Sequence, residues 1–462
     1  MSTSAHWPSG STVAYEDAPI RGFHLWVTIA GTGGQLSDGF ILGIIGIVIA
    51  SATKTLSLTP LWVGLLGAAT LAGLFAGAIV TGPIADRIGR RQIFAWDMLI
   101  FAVLSAAQFF VQTPTQLLIL RLLLGLVLGA DYVVSKSLVT EHAPKKFRGR
   151  LMSLLAVAWA AGYVFAYLVG FLLSGTSDAA WRWMLAASAV PALLVLGFRI
   201  GVPEAPLWLS RHGRDDEAAA VVHKYLGDGV RPPAAIGAMP RRGTRVLFSP
   251  KYRKRTAVGA LFYVCQVIPF FALGTFSPQV MDSLGVTSKL AAGALYNLFL
   301  LAGAIVGLLL IDRISRRFFL VSTFLVGGAL LTGLAFLAGL SPALAVVLFT
   351  AFAFVLAAAV NLEFVYPPEL FPTDLRASGV GIAVAASRIG SAAGTFLLPV
   401  VAAGYGMNVA LAGCVVVLFV GALICWRWAP ETSTETLSEI DGAGPAVESA
   451  GVAAETPGAN PN

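Results

Sequence analysis

Asp38, Arg121, Asp131 and Arg388 stand inside long apolar runs of this chain. Ionisable side chains in such runs are costly to bury, and they persist where they pair, line a passage or carry protons. Asp38 lies beside Gly33, Gly34, Gln35 and Gly39, where small neighbours loosen helix packing and expose backbone. It is the first candidate proton carrier, because burial and a movable arginine can tune the protonation of a carboxyl group. Its alternative role is that of a permanently ionised structural partner. Asp131 is the second candidate. It follows Arg121 by ten residues, about 80° around a helix of roughly 3.6 residues per turn, so the two can share one broad cavity-facing side. Arg121 does not deprotonate, so it can tune a carrier without being one. Its plainer reading is a bond that holds helices together. Lys136 is near enough to a helix end to extend to the interface.

Arg388, flanked by Ser387, Gly390 and Ser391, suits recognition of a carboxylate by paired N–H donors. That points to an organic anion or a zwitterion as substrate; the alternative is an ion pair with Glu363. Trp159 and Tyr163, four positions apart, join Gln266, Asn297 and Asn361 as further substrate-site candidates. Aromatic stripes and amides also pack helices against one another. None of the five histidines falls in the interior of an apolar run, so proton coupling is expected to rest on carboxylates. Cys265, Cys414 and Cys425 are scattered without CxxC spacing, which indicates neither a disulfide framework nor a zinc site. No metal and no cofactor is expected beyond the proton as coupling ion. The chain also lacks a phosphate-binding glycine loop, a metal-ligand cluster and a nucleophile constellation, so an enzyme is not expected.

The elements that must position these groups follow from composition. Of 462 residues, 57% are hydrophobic and only 12% charged, against roughly a quarter charged in a soluble domain. Runs of about 20 apolar residues, enough to cross a hydrocarbon core about 30 Å thick, recur twelve times. They lie near 24–50, 60–82, 93–112, 116–141, 150–173, 181–201, 256–280, 288–311, 318–339, 342–366, 377–401 and 406–428. The fold expected is all-α and integral to the membrane, with two six-helix bundles at 24–201 and 256–428. A segment at 1–23, a linker loop at 202–255 containing a short helix over 214–225, and a disordered tail at 429–462 complete the expected organisation. Twenty-five of the 31 lysines and arginines fall on the side that holds both termini, which predicts cytoplasmic ends. No basic start with an apolar block precedes the first span, so that span is expected to serve as its own insertion signal. The net charge of +7 is distributed between apolar runs and does not suggest nucleic-acid binding. Nothing indicates an oligomer, and a monomer is expected.

The two halves repeat. DRIGRR at 86–91 matches DRISRR at 312–317, and Glu141, Pro144 and Arg148 match Glu369, Pro372 and Arg376 in a shared E-x-x-P-x-x-x-R pattern. The offsets are 226 and 228 residues, and both matches fall in loops on the basic side. A conformational gate is expected there, built from Gly82, Asp86, Arg87, Gly89, Arg90, Arg91, Glu141 and Arg148 in one half. Asp312, Arg313, Arg316, Arg317, Glu369 and Arg376 form its counterpart. The glycines would permit close packing and a tight turn, while Asp86 would accept from a helix N-terminus.

With these motifs, residues 20–430 resemble the major facilitator superfamily. The loop GPIADRIGRR at 82–91 matches its signature between helices two and three, and RLLLGLVLG at 121–129 resembles its second signature. PEAPLWL at 203–209 and PET at 430–432 resemble the sugar-porter branch. Span seven carries Gln266 alone where sugar porters pair glutamines, and the chain is also similar to bacterial metabolite:H+ symporters related to niacin and synaptic-vesicle-2-like transporters. The resemblance implies alternating access around a midplane site, Arg121 opposite Asp38, and loop contacts that hold an outward-open state. The expected function is proton-coupled symport of a small organic metabolite through the inner membrane. A sugar/H+ symporter, an uncoupled facilitator and a proton-antiport exporter are the alternatives. The last is disfavoured because span five has Gly162 and Gly170 but no proline.

Overall fold

The computed structural model describes residues 13–177, 179–233, 244–311, 313–337, 341–371 and 373–432. Asp312 and the tail beyond Thr432 lie outside these residues, as do the side chains of Asp86 and Arg376. Among the described residues, twelve helical stretches are long and apolar enough to cross a membrane.

The first bundle comprises α1 (Gly22–Leu56), α2 (Pro60–Ile88), α3 (Arg90–Ala107), α4 (Pro114–His142), α5 (Arg148–Leu173), and a sixth crossing made of α6 (Ala180–Ala186) and α7 (Ala189–Arg199). Two short helices, α8 (Pro206–Arg211) and α9 (Asp215–Leu226), follow outside the bundle. The second bundle begins with α10 (Arg253–Thr275) and its short continuation α11 (Ser277–Ser283). It continues with α12 (Lys289–Leu310), α13 (Arg316–Phe336), α14 (Pro342–Val360), α15 (Leu362–Glu369), α16 (Thr373–Tyr405) and α17 (Met407–Trp428). Helix α9 occupies the stretch in which the sequence predicts a surface helix. The all-α expectation misses one detail: Val13–Ala14 pairs in parallel with Val230–Arg231, fastening the N-terminal segment to the end of α9.

Local chemistry sets the helix starts. Thr59-Pro60, Thr113-Pro114 and Ser341-Pro342 open α2, α4 and α14 on the face opposite the basic loops, each hydroxyl accepting from a backbone N–H of the first turn. Proline at the first helical position costs nothing there, because its missing N–H would have no intrahelical partner. Helix α1 runs further than its apolar stretch, through Ser51 and Thr53, and stops where Ser57 turns left-handed at φ 51°.

Small residues let the helices cross backbone to backbone. A Cβ on Gly125 of α4 would lie 2.3 Å from the Thr70 carbonyl and 2.8 Å from Gly73 of α2. Within the first bundle, α2 packs on α4 and α1 on α5; within the second, α10 packs on α16, α12 on α14 and α13 on α17. The bundles touch along α2–α16, α5–α12 and α1–α10. Away from the basic loops this contact is tight. Tyr167 Oη and Ser277 Oγ are 2.6 Å apart, and Gln279 Nε2 donates to the Gly46 carbonyl at 3.2 Å. Toward the basic loops the bundles part around a cavity.

Candidate transport site

That cavity, of about 660 Å³, reaches from Gly82 and Arg90 at the basic face to Tyr132, Lys136, Glu363 and Arg388 at mid-depth. Above it lies a second pocket with room for little more than one water, about 30 Å³, whose wall includes Asp38, Trp159, Phe270, Phe271, Glu363 and Arg388. Both bundles thus contribute to one central site. Trp159 of α5 stacks across the bundle boundary on Phe270 of α10, with centroids 5.9 Å apart and planes 28° apart. The Arg388 guanidinium sits 4.8 Å from the centre of the Tyr132 ring, and its Nε finds no hydrogen-bond partner among the described residues. Lys136 does not extend to the interface. Its ammonium rests on the Tyr132 ring at 3.6 Å and the Phe364 ring at 4.1 Å, because two aromatic faces on the cavity wall hold the cation there.

At Asp38 and behind it, wholly inside the first bundle, four charged side chains meet. Arg199, at the end of α7, places Nη1 2.8 Å from Asp97 Oδ1 of α3 and Nη2 2.5 Å from Asp131 Oδ1 of α4. Ser135 Oγ donates to Asp131 at 2.6 Å and accepts from Arg199 at 3.0 Å. The guanidinium also donates to the carbonyls of Ala30 and Phe94 and stacks over the Phe94 ring. Gly34 makes room for it, since a Cβ there would lie 1.9 Å from Arg199 Nη2 and 2.6 Å from Asp131 Oδ2. One turn further along α1, Asp38 accepts from Gln35 Nε2 at 3.1 Å and faces Asp131 and Arg199. All four charged groups are buried. Three carboxyl groups against one guanidinium leave an excess of negative charge that a dry interior does not tolerate without protons.

The structure therefore corrects the pairing expected for Arg121. Its side chain is fully buried, but both terminal nitrogens donate to the Ile41 carbonyl of α1, at 3.2 and 3.3 Å, and not to Asp38. The pair fails because Asp38 turns toward Asp131 and Arg199 on the other flank of α1. Four further candidates stand outside the walls of both central cavities. Asn361 donates to the Ala304 carbonyl at 3.0 Å, joining α12 to the end of α14, and Asn297 caps the Gly293 carbonyl of its own helix at 2.8 Å. Tyr163 is packed beneath Trp159, and Gln266 is buried in α10. Glu363 and Arg388 share the cavity walls, and among the described residues they form no ion pair with each other.

At the basic face the repeat becomes a repeated device. Arg90 pairs with Glu141, and Arg316 with Glu369, each inside its own bundle. Glu204 accepts from the backbone N–H groups of Arg90 and Arg91 at 2.9 and 3.0 Å, while Glu431 accepts from those of Arg316 and Arg317 at 2.9 and 3.1 Å. These carboxylates occupy the positive ends of α3 and α13, the role expected of Asp86. Gly89 has φ 93°, as its tight turn requires, whereas a Cβ on Gly82 would meet nothing within 4 Å. Gly82 lines the open cavity and packs against no helix, because the bundles are apart at this end. Arg87, Arg91 and Arg313 are exposed, and Arg148 donates weakly to the Ala143 carbonyl at 3.5 Å.

Two members of the buried cluster are missing from the candidates named from the sequence. Arg199 is counted with the loop cations because it closes span six. Asp97 is a lone acid in span three, and the argument applied to Asp38 would have flagged it.

Two six-helix bundles around a central cavity closed at one face make the architecture of a membrane carrier. The sequence belongs to the family Sugar (and other) transporter, whose profile matches residues 30–443, and the chain is a multi-pass, sugar-porter-like transporter of the major facilitator superfamily with small-molecule substrates. It is 40% identical over 438 residues to the inner membrane metabolite transport protein YgcS of Escherichia coli (strain K12), covering 95% of this chain and 98% of that one. It is 27% identical to the niacin transporter NiaP of Acinetobacter baylyi, over 92% and 98% of the two chains. In fold it is similar to the partially occluded inward-open xylose transporter XylE of E. coli, with TM-score 0.77 at 19% identity over 90% of this chain and all of that one.

Proposed function

We propose that the protein takes up a small organic acid together with a proton across the inner membrane, as a monomer with its basic face and both termini in the cytoplasm. The observation that carries this reading is the charge on the walls of the central site. Lys136 and Arg388 face Asp38 and Glu363 there, with aromatic surfaces of Tyr132, Trp159, Phe270, Phe271 and Phe364 between them. With both carboxyl groups ionised the walls are neutral, and a proton on Asp38 leaves them one positive charge in excess. An anion then finds the Arg388 fork, whose N–H groups suit a carboxylate. Proton first, anion second is thus the favoured order, and a monovalent anion crosses without net charge. The kinship with YgcS and NiaP supports a metabolite as cargo, and Lys136 with Arg388 supports an acidic one.

The test is thermal stabilisation of the purified protein by sugars, monocarboxylates, aromatic acids, nicotinate and amines at acidic and neutral pH. Uptake of the best ligand into proteoliposomes under a pH gradient follows. An acid that stabilises the parent protein but not Arg388→Ala, and that accumulates with the gradient, agrees with the reading. Stabilisation by neutral sugars alone would overturn the anion assignment, and uptake indifferent to the gradient would overturn coupling.

A further inference from the structure

The Asp38–Asp131–Arg199–Asp97 cluster lies between two cavities that have no wall residue in common. On one side Asp38 reaches the central site. On the other, a groove of about 540 Å³ runs between α3 and the segment after α7, walled in part by Arg91, Gln92, Trp96, Arg199, Glu204 and Arg214. Arg199 belongs at once to the groove wall and to the cluster, and Trp96 precedes Asp97 on α3.

We propose that proton and substrate leave by different mouths: substrate through the cavity between the bundles, and the proton through the first bundle into this groove. The inference rests on the proton-coupled reading above. Each carboxyl group in the cluster keeps one oxygen that accepts from no amide, hydroxyl or cationic donor among the described residues: Asp38 Oδ1, Asp131 Oδ2 and Asp97 Oδ2. Those oxygens are free to receive a proton, while Arg199 fixes the other oxygens of Asp97 and Asp131. The groups facing the relay are Asp38 and Gln35 from α1, Asp97 from α3, Asp131 and Ser135 from α4, and Arg199 from α7. The protonated carboxyl of Asp38 gives its proton to the Asp131 carboxylate. Asp131 passes it to the Asp97 carboxylate, and Asp97 releases it to water in the groove. Each donor returns to a carboxylate and is protonated again from the side of the central site, so the three acids do not stand ionised together against Arg199, which keeps its own protons.

This route separates two tasks that a single mouth would combine. A substrate anion in the central cavity would hold a departing proton back by its own charge, whereas the groove, in which Arg91, Arg199 and Arg214 stand with Glu204 and Glu217, lies behind α3 and away from the substrate.

The test needs no substrate. Purified protein is moved from H2O to D2O, and the protonated-carboxyl band is followed by infrared spectroscopy, after a bulky thiol reagent has been attached at Gln92→Cys in the groove or at Ser137→Cys in the central cavity. Both variants carry serine at the three native cysteines. Loss of fast exchange on labelling Gln92→Cys, with fast exchange kept on labelling Ser137→Cys, is the expected result. Asp97→Asn is expected to remove fast exchange without any label. The reverse labelling pattern overturns the separate route and leaves proton coupling standing. A parent protein with helical content intact but no carboxyl band that titrates overturns proton coupling itself, and this route with it.

Discussion

Arg199 Nη2 lies 2.5 Å from Asp131 Oδ1, so the cation that compensates the acids of the first bundle comes from the end of α7 and not from the centre of α4. Arg121, placed to do that work, spends its two terminal nitrogens on the Ile41 carbonyl. The consequences can be separated by substitution.

Arg199→Ala leaves Asp97 and Asp131 buried without their cation, and breaking a buried pair from one side costs about 3–5 kcal/mol. The thermal midpoint in detergent is expected to fall sharply. It should return most of the way in the triple variant Arg199→Ala, Asp97→Asn, Asp131→Asn. A single variant that melts like the parent would show that the guanidinium is not holding the cluster.

Gly34→Ala and Gly82→Ala form a matched pair. The first drives a methyl group to 1.9 Å from Arg199 Nη2, and the second adds one where nothing lies within 4 Å. Proton-driven uptake is expected to be lost in Gly34→Ala and kept in Gly82→Ala at equal expression. Equal uptake by both would mean that the cluster can shift without consequence.

Arg388→Ala removes the fork assigned to the substrate carboxylate. Hydrogen bonds to charged groups are worth about 1.5–3 kcal/mol, which is about a 10- to 150-fold loss of affinity at roughly 1.4 kcal/mol per decade. Arg388→Lys should restore only part of it, since an ammonium lacks the planar pair of donors. Unchanged binding of an acidic ligand by Arg388→Ala, read by thermal shift titration, would move the anion site elsewhere in the cavity.

Glu204→Gln and Glu431→Gln each remove the negative charge at a helix N-terminus, at a cost of about 0.3–1 kcal/mol apiece. Because the two caps sit in different bundles, their effects on chemical denaturation are expected to add. A clear excess in the double variant would show that the caps communicate across the bundle boundary.

The crossings, their number and the doubling were legible because bilayer thickness writes itself into runs of about 20 apolar residues. The repeated loop motifs were legible because repeated loops carry repeated polar residues, and the pairs they form, Arg90–Glu141 and Arg316–Glu369, lie within single bundles. Partners were harder to read. Arg121, Asp38 and Asp131 were all visible as buried charges, but which acid meets which arginine depends on the rotation of α1 and on the space at Gly34, and no spacing rule encodes either. Amides read two ways for a related reason. Asn361 and Asn297 read as ligand groups, yet each satisfies a backbone carbonyl, on α12 or on its own helix. Lys136 showed the opposite error: proximity to a helix end suggested an interfacial cation, while two rings on the cavity wall hold it inside.

The paired caps have one more consequence. Glu204 follows the last crossing of the first bundle and reaches back to α3, and Glu431 follows the last crossing of the second and reaches back to α13. Each half is thus buttoned shut by its own trailing segment, with the button on the same piece of chain as the helices it secures. A nick between Val230 and Thr244 would leave both fastenings whole, so two separately translated polypeptides ought to find each other in the membrane and reconstitute a working carrier.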